Sequence, residues 1–175
     1  MKPRGLLMME HRIIEKMIAA MKKEIASIRE NGSFDPVFVD TAIDFIRTYA
    51  DRNHKGKEED IMFRELEQKK MSPDDVEAMN ELTREHVYGR QLVKELNKAT
   101  DEYRRENKDT GAIADKLQAI ADFYPAHIEK EDKSFFPDTE RYFSENELQK
   151  MIDEFHEFDC NMIHRKYREI AENIR

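Results

Sequence analysis

Apolar residues recur every three or four positions along four long stretches of this chain. Each stretch is interrupted by polar residues at places where the stripe calls for Leu or Ile. The first reads Leu7, His11, Ile14, Ile18, Met21, Ile25, Ile28, and the second Ile43, Ile46, Ala50, His54, Glu58, Ile61. The third reads Val76, Met79, Leu82, His86, Gly89, Val93, Leu96, and the fourth Ile113, Leu117, Ile120, Tyr124, His127, Glu131, Phe135. Steps of three and four trace one face of an α-helix. The pattern therefore predicts four amphipathic helices whose inward faces carry six polar side chains. A further stripe, Leu148, Ile152, Phe155, Met162 and Ile170, predicts a fifth helix.

Capping and turn residues set the expected boundaries. Asn31-Gly32-Ser33 ends the first helix, and Asp35-Pro36 opens the second with a cap and a first-turn proline. Ser72-Pro73-Asp74-Asp75 caps the third, the segment from Asn107 to Gly111 closes it and opens the fourth, and Pro137-Asp138-Thr139 is expected to break the fourth. Ser144-Glu145-Asn146-Glu147 reads as a capping box for the fifth. Short connections make sequential helices antiparallel neighbours. Counted from the turns, the four histidines fall within one to four residues of a common level, roughly 1.5–6 Å at helical rise. The fold expected is all-α: an up-down four-helix bundle over residues 1–140, with a C-terminal helix over 141–175 packing on it.

Composition narrows the classes. The chain has 175 residues, enough for one domain with a real core. Only 5 Gly and 5 Pro agree with long helices. A formal charge of −8 argues against nucleic acid or an acidic membrane as partner. The N-terminal apolar run, Leu6 to Met9, is too short for a secretory signal, and no stretch could span a bilayer. The single cysteine, Cys160, fits a reducing cytoplasm.

Four imidazoles and two carboxylates on core faces are costly if left unpaired. A shared metal pair is the partner that suits this donor set, and imidazole with carboxylate suits Fe, Mn or Zn. A lone histidine on an apolar stripe is more often a satisfied core residue. Four at one level, with Glu58 and Glu131 joining them on the stripes, are not explained that way. Tyr49, Phe63, Tyr124 and Phe135 are candidate walls of the pocket.

The local wording carries a family resemblance: Glu10-His11, the run from His54 to Phe63 (HKGKEEDIMF), the run from Glu85 to Arg90 (EHVYGR) and the run from Pro125 to Pro137 (PAHIEKEDKSFFP). Over about residues 6–137 the chain resembles the hemerythrin-like proteins, the HHE cation-binding domain family. The resemblance implies an up-down four-helix bundle holding two non-haem iron ions in an oxo- or hydroxo-bridged centre. Myohemerythrin is itself a standard example of that architecture. It implies that His11, His54, His86 and His127 bind iron and that Glu58 and Glu131 bridge the two ions. Dioxygen, nitric oxide or peroxide is then the expected ligand.

One departure bears on function. Oxygen-carrying hemerythrins place a further histidine one turn after the one on the third helix, and here Arg90 stands there. That points away from simple reversible oxygen carriage. Glu15, His156 or His164 could fill a vacant position, although each reads more simply as a solvated side chain. Two function classes remain: a protein that binds oxygen or nitric oxide for storage, delivery or sensing, and an enzyme of peroxide detoxification or iron–sulfur cluster repair. A third option is an interaction module that docks a protein partner through the C-terminal helix.

Overall fold

The computed structural model describes residues 2–106 and 109–173. Helix α1 is Pro3–Asn31 and ends where Gly32 turns left-handed (φ 67°), with its N–H bonded to the Ile28 carbonyl. Only glycine takes that backbone cheaply, so the chain reverses where Asn-Gly-Ser predicts. Helix α2 spans 36–66, and the Asp35 side chain accepts from the N–H groups of Val37 (2.9 Å) and Phe38 (3.2 Å). Helix α3 is Pro73–Glu106, capped by Ser72. Helix α4 spans 110–139, capped by Asp109 on the Gly111 N–H. Of the expected turn between α3 and α4, Asn107 and Lys108 lie outside the described residues. Helix α5 is Glu145–Asn173, and its Ser144–Glu147 capping box is closed in both directions.

Two features were not foreseen. First, α2 and α4 contain wide π-helical turns, at Ile46–Lys55 and Glu58–Phe63 in α2 and at Glu131–Phe135 in α4. Such turns concentrate at functional sites because the extra residue re-aims the side chains around it. Second, Pro137 does not break α4. It falls in the first turn of the helical stretch Phe136–Thr139 that follows the wide turn, where its missing N–H is not required. The chain leaves helical geometry at Phe143, after a single 3-10 turn, Glu140–Tyr142.

Helix α4 packs along α1 and α3, and α2 lies against both α1 and α3, which closes the four-helix bundle. Every stripe position predicted for α1, α2 and α4 is buried, and on α3 only Val76 is exposed. The core divides into two apolar clusters. One gathers Ile14, Ile18, Met21 and Ile25 with residues such as Leu96 and Leu117, and the other gathers Leu7, Phe63, Leu66, Leu82 and Phe136. The six polar stripe residues sit at the junction. Helix α5 adds Met151 and Phe155 to the second cluster and crosses α2 at Gly56. Its stripe is covered only as far as Met162, and Ile170, expected on the same face, is exposed. Among the described residues no helix is long and apolar enough to cross a membrane.

Candidate metal centre

All four helices deliver side chains to one buried point. His11, Glu58, His86 and Glu131 are 0% exposed, His54 is 2% and His127 is 3%. Their donor atoms form two overlapping groups: His11, His54, Glu58 and Glu131 in one, and His86, His127 and Glu131 in the other. The carboxylates join the two. Glu131 Oε2 lies 3.2 Å from His11 Nε2, while its Oε1 lies 3.2 Å from His127 Nε2 and 3.5 Å from His86 Nε2. Glu58 Oε1 lies 3.3 Å from His54 Nε2, and its Oε2 lies 3.3 Å from His86 Nε2. Each carboxylate thus presents one oxygen to each histidine pair.

The outer edges of the imidazoles show why the inner edges are unusual. Every Nδ1–H donates to a carboxylate: His11 to Asp132 (2.7 Å), His54 to Glu10 (2.9 Å), His86 to Glu59 (2.6 Å) and His127 to Glu85 (2.7 Å). That hydrogen bond fixes the tautomer of a neutral ring and turns the Nε2 lone pair inward. The four Nε2 atoms and both oxygens of Glu58 and Glu131 have no hydrogen-bond partner. A buried point ringed by acceptors and lacking donors requires positive charge to be stable. Divalent cations supply it, and separations of 3.2–3.5 Å suit atoms sharing an ion at bond lengths near 2.1 Å. The residues present therefore fit a metal pair.

Without metal, protons must supply the charge. Burial alone would lower the imidazoles, but Asp132, Glu131 and Glu58 push His11 up to about 10. Glu131, Glu58 and Glu59 push His86 up to about 10, and His54 is raised by Glu58 and Glu10 against the same burial. Burial would raise the carboxylates, as would Glu58 acting on Glu131, yet the surrounding imidazoles hold Glu131 down at about 2 and Glu58 well below its ordinary range.

The four outer acids were not singled out from sequence, and they form a closed circuit. Glu10 of α1 serves His54 of α2, Glu59 of α2 serves His86 of α3, Glu85 of α3 serves His127 of α4, and Asp132 of α4 serves His11 of α1. Each acid is in turn held by a cation: Lys57 on Glu10, Arg90 on Glu59 (2.9 Å), Lys130 on Glu85 (2.5 Å) and Arg12 on Asp132. Each acid also directly adjoins one of the six inner residues in the chain, as in Glu10-His11, Glu58-Glu59, Glu85-His86 and Glu131-Asp132. Those doublets were the available signal.

Aromatic rings complete the walls. Phe136 stacks on His11 (5.9 Å, 11°), Phe63 on His86 (5.9 Å, 10°) and Phe123 on His127 (5.1 Å, 20°). Of the expected aromatics, Phe63 touches the centre, Phe135 packs on Phe63 (5.4 Å), and Tyr49 stacks on Phe45 instead. The other candidates lie outside the cluster. Glu15 pairs with Arg12 (3.3 Å), and His156 and His164 are exposed on α5. Arg90 binds Glu59 and Asp51 (2.7 Å).

The Hemerythrin family, described as the hemerythrin HHE cation binding domain, matches residues 3–139, which contain α1 to α4 entire. The chain belongs to this family of cation-binding, all-helical domains. Comparison with curated proteins and with solved structures found no match.

Proposed function

We propose that this chain is a non-haem di-iron protein that binds dioxygen, nitric oxide or peroxide, for oxygen binding, storage or sensing. The observation that carries the reading is the division of Glu58 and Glu131, one oxygen to each histidine pair, around a point that holds only acceptors. In this reading His11 and His54 would hold one ion, His86 and His127 the other, and Glu58 and Glu131 would serve both. Iron, when bound, supplies open coordination positions and electrons for a small ligand. The protein keeps the imidazoles in the ligating tautomer through the outer acids, and keeps water out with Phe63, Phe123 and Phe136. The lone exposed thiol, Cys160, suits a reducing, cytoplasmic setting.

One observation favours an enzyme as the second reading. Arg90, where a further histidine would stand in an oxygen carrier, is turned onto Glu59 and Asp51. Four imidazoles and two carboxylates would then hold the pair, with no further imidazole from α3. Peroxide detoxification or iron–sulfur cluster repair would use the open coordination positions of such a pair. Anaerobic loading with ferrous salt followed by oxygen separates the readings. An optical change reversed on removing oxygen supports binding. Rapid irreversible oxidation, or turnover of added peroxide, supports the enzyme. A chain that takes up no ferrous iron contradicts both.

A further inference from the structure

Beside the centre lies a cleft of about 450 Å3 whose chemistry the metal reading does not use. At its inner end is Lys55, only 1% exposed, whose Nζ has no hydrogen-bond partner. Nζ is flanked by the rings of Tyr124 (5.4 Å to the centroid) and Phe123 (5.5 Å), which offer their faces and no acceptor. The Tyr124 hydroxyl, also buried, lacks a partner too. Space for the ammonium comes from Gly89, where a Cβ would stand 2.8 Å from Nζ. Glycine inside a helix is disfavoured against alanine, so the space is kept against helix propensity.

Lys55 Nζ and the Tyr124 hydroxyl can both donate, so a group with acceptor oxygens suits the two together. The rest of the cleft says which kind. Ile46 and Val93 give it an apolar wall, Arg47 and Lys94 line it with positive charge, Arg52 is paired with Glu169 (2.8 Å), and its one acid, Asp51, is engaged by Arg90. Positive charge beside apolar surface selects an anion with a hydrocarbon part, and the volume is that of a small-molecule site. We propose that this cleft binds a small organic carboxylate, its head accepting from Lys55 Nζ and the Tyr124 hydroxyl and its hydrocarbon part lying on Ile46 and Val93. Gly89 and Tyr124 stand one helical turn from His86 and His127, so the occupant sits next to the centre. The proposal does not depend on which metal the centre holds.

Titration calorimetry on the purified, full-length protein tests it, with hexanoate as probe and hexanol and inorganic phosphate as controls. Hexanoate is expected to bind at one saturable site per chain, with hexanol and phosphate about tenfold weaker or more. Lys55→Met keeps the apolar stem and is expected to weaken hexanoate about tenfold or more, and Tyr124→Phe about fivefold. Circular dichroism establishes that each variant folds, and metal content measured in parallel separates damage to the centre from loss of the cleft. Failure of hexanoate to bind the wild type, equal binding by folded Lys55→Met, or equal affinity for hexanol or phosphate would overturn the proposal. A wild type that binds hexanoate but holds no metal would sink the di-iron reading and leave this one standing.

Discussion

Glu10 immediately precedes His11 in the chain, yet its carboxylate accepts from His54, 44 residues away on the next helix, at 2.9 Å. The same step from one helix to the next repeats around the bundle until Asp132 closes the circuit on His11. No helix can therefore shift along its axis without breaking an imidazole–carboxylate bond at its own histidine or at its neighbour's. The circuit holds the centre in place and sets the tautomer of every ring.

Removing one outer carboxylate should loosen metal while the fold survives. Glu85→Gln or Glu10→Gln keeps the shape but weakens the acceptor on His127 or His54, and such changes typically cost about 10–100-fold in metal affinity. Competition against a chelator reads this directly. Unchanged affinity in both variants would make the circuit a packing feature only.

Removing an inner residue should cost more. His54→Ala strips Glu10 and Glu58 of their shared imidazole, and Glu131→Ala removes the carboxylate facing three imidazoles. Each variant is expected to lose metal, and a buried charge left unpaired typically destabilises by about 3–5 kcal/mol. Metal analysis with thermal unfolding checks both effects. Full metal retention in either variant contradicts the assigned set.

Acid–base behaviour follows from the same carboxylates. His11 and His86 rise from 6.5 to about 10 in the metal-free fold, so their pairing stabilises fully below about 6.5 and fades as pH rises through about 10. Glu131 falls from 4.5 to about 2, so its contribution is complete above about 4.5 and fades as pH falls through about 2. The metal-free protein should therefore melt at progressively lower temperature between about 6.5 and about 10. Metal must displace the imidazolium protons, so its affinity should rise over that window and its addition should release protons. A flat metal-free melting temperature across the window would contradict this.

Helix α5 meets the bundle at a glycine. A Cβ at Gly56 would stand 2.7 Å from Phe158 Cζ, so a larger side chain must displace the Phe158 ring that seats α5. Gly56→Leu is expected to destabilise by about 1–3 kcal/mol and to expose α5 to protease first. It should also disturb Lys57, which links Asp159 of α5 (2.6 Å) to Glu10. Proteolysis that leaves α5 as resistant as in the wild type would show that its seating does not depend on Gly56.

The stripes and caps of the sequence made the bundle legible, because helix periodicity and Asp35-Pro36 or Ser144–Glu147 act locally. The six inner residues were legible because polar groups on an apolar face stand out. Glu10, Glu59, Glu85 and Asp132 did not stand out, since an acid beside a histidine in a chain with 39% charged residues reads as solvated. Lys55 and Lys57 were hidden for the same reason, and only packing shows that both are buried. The place of Pro137 was misjudged because a wide turn at Glu131–Phe135 changes where a proline can sit, and stripe spacing carries no mark of such a turn.

The most direct test is metal content per chain on protein purified without added chelator. The proposed di-iron reading of the two joined donor groups predicts close to two irons per chain. No metal, with none taken up from ferrous salt under anaerobic conditions, would contradict the account and return the six inner residues to a structural role.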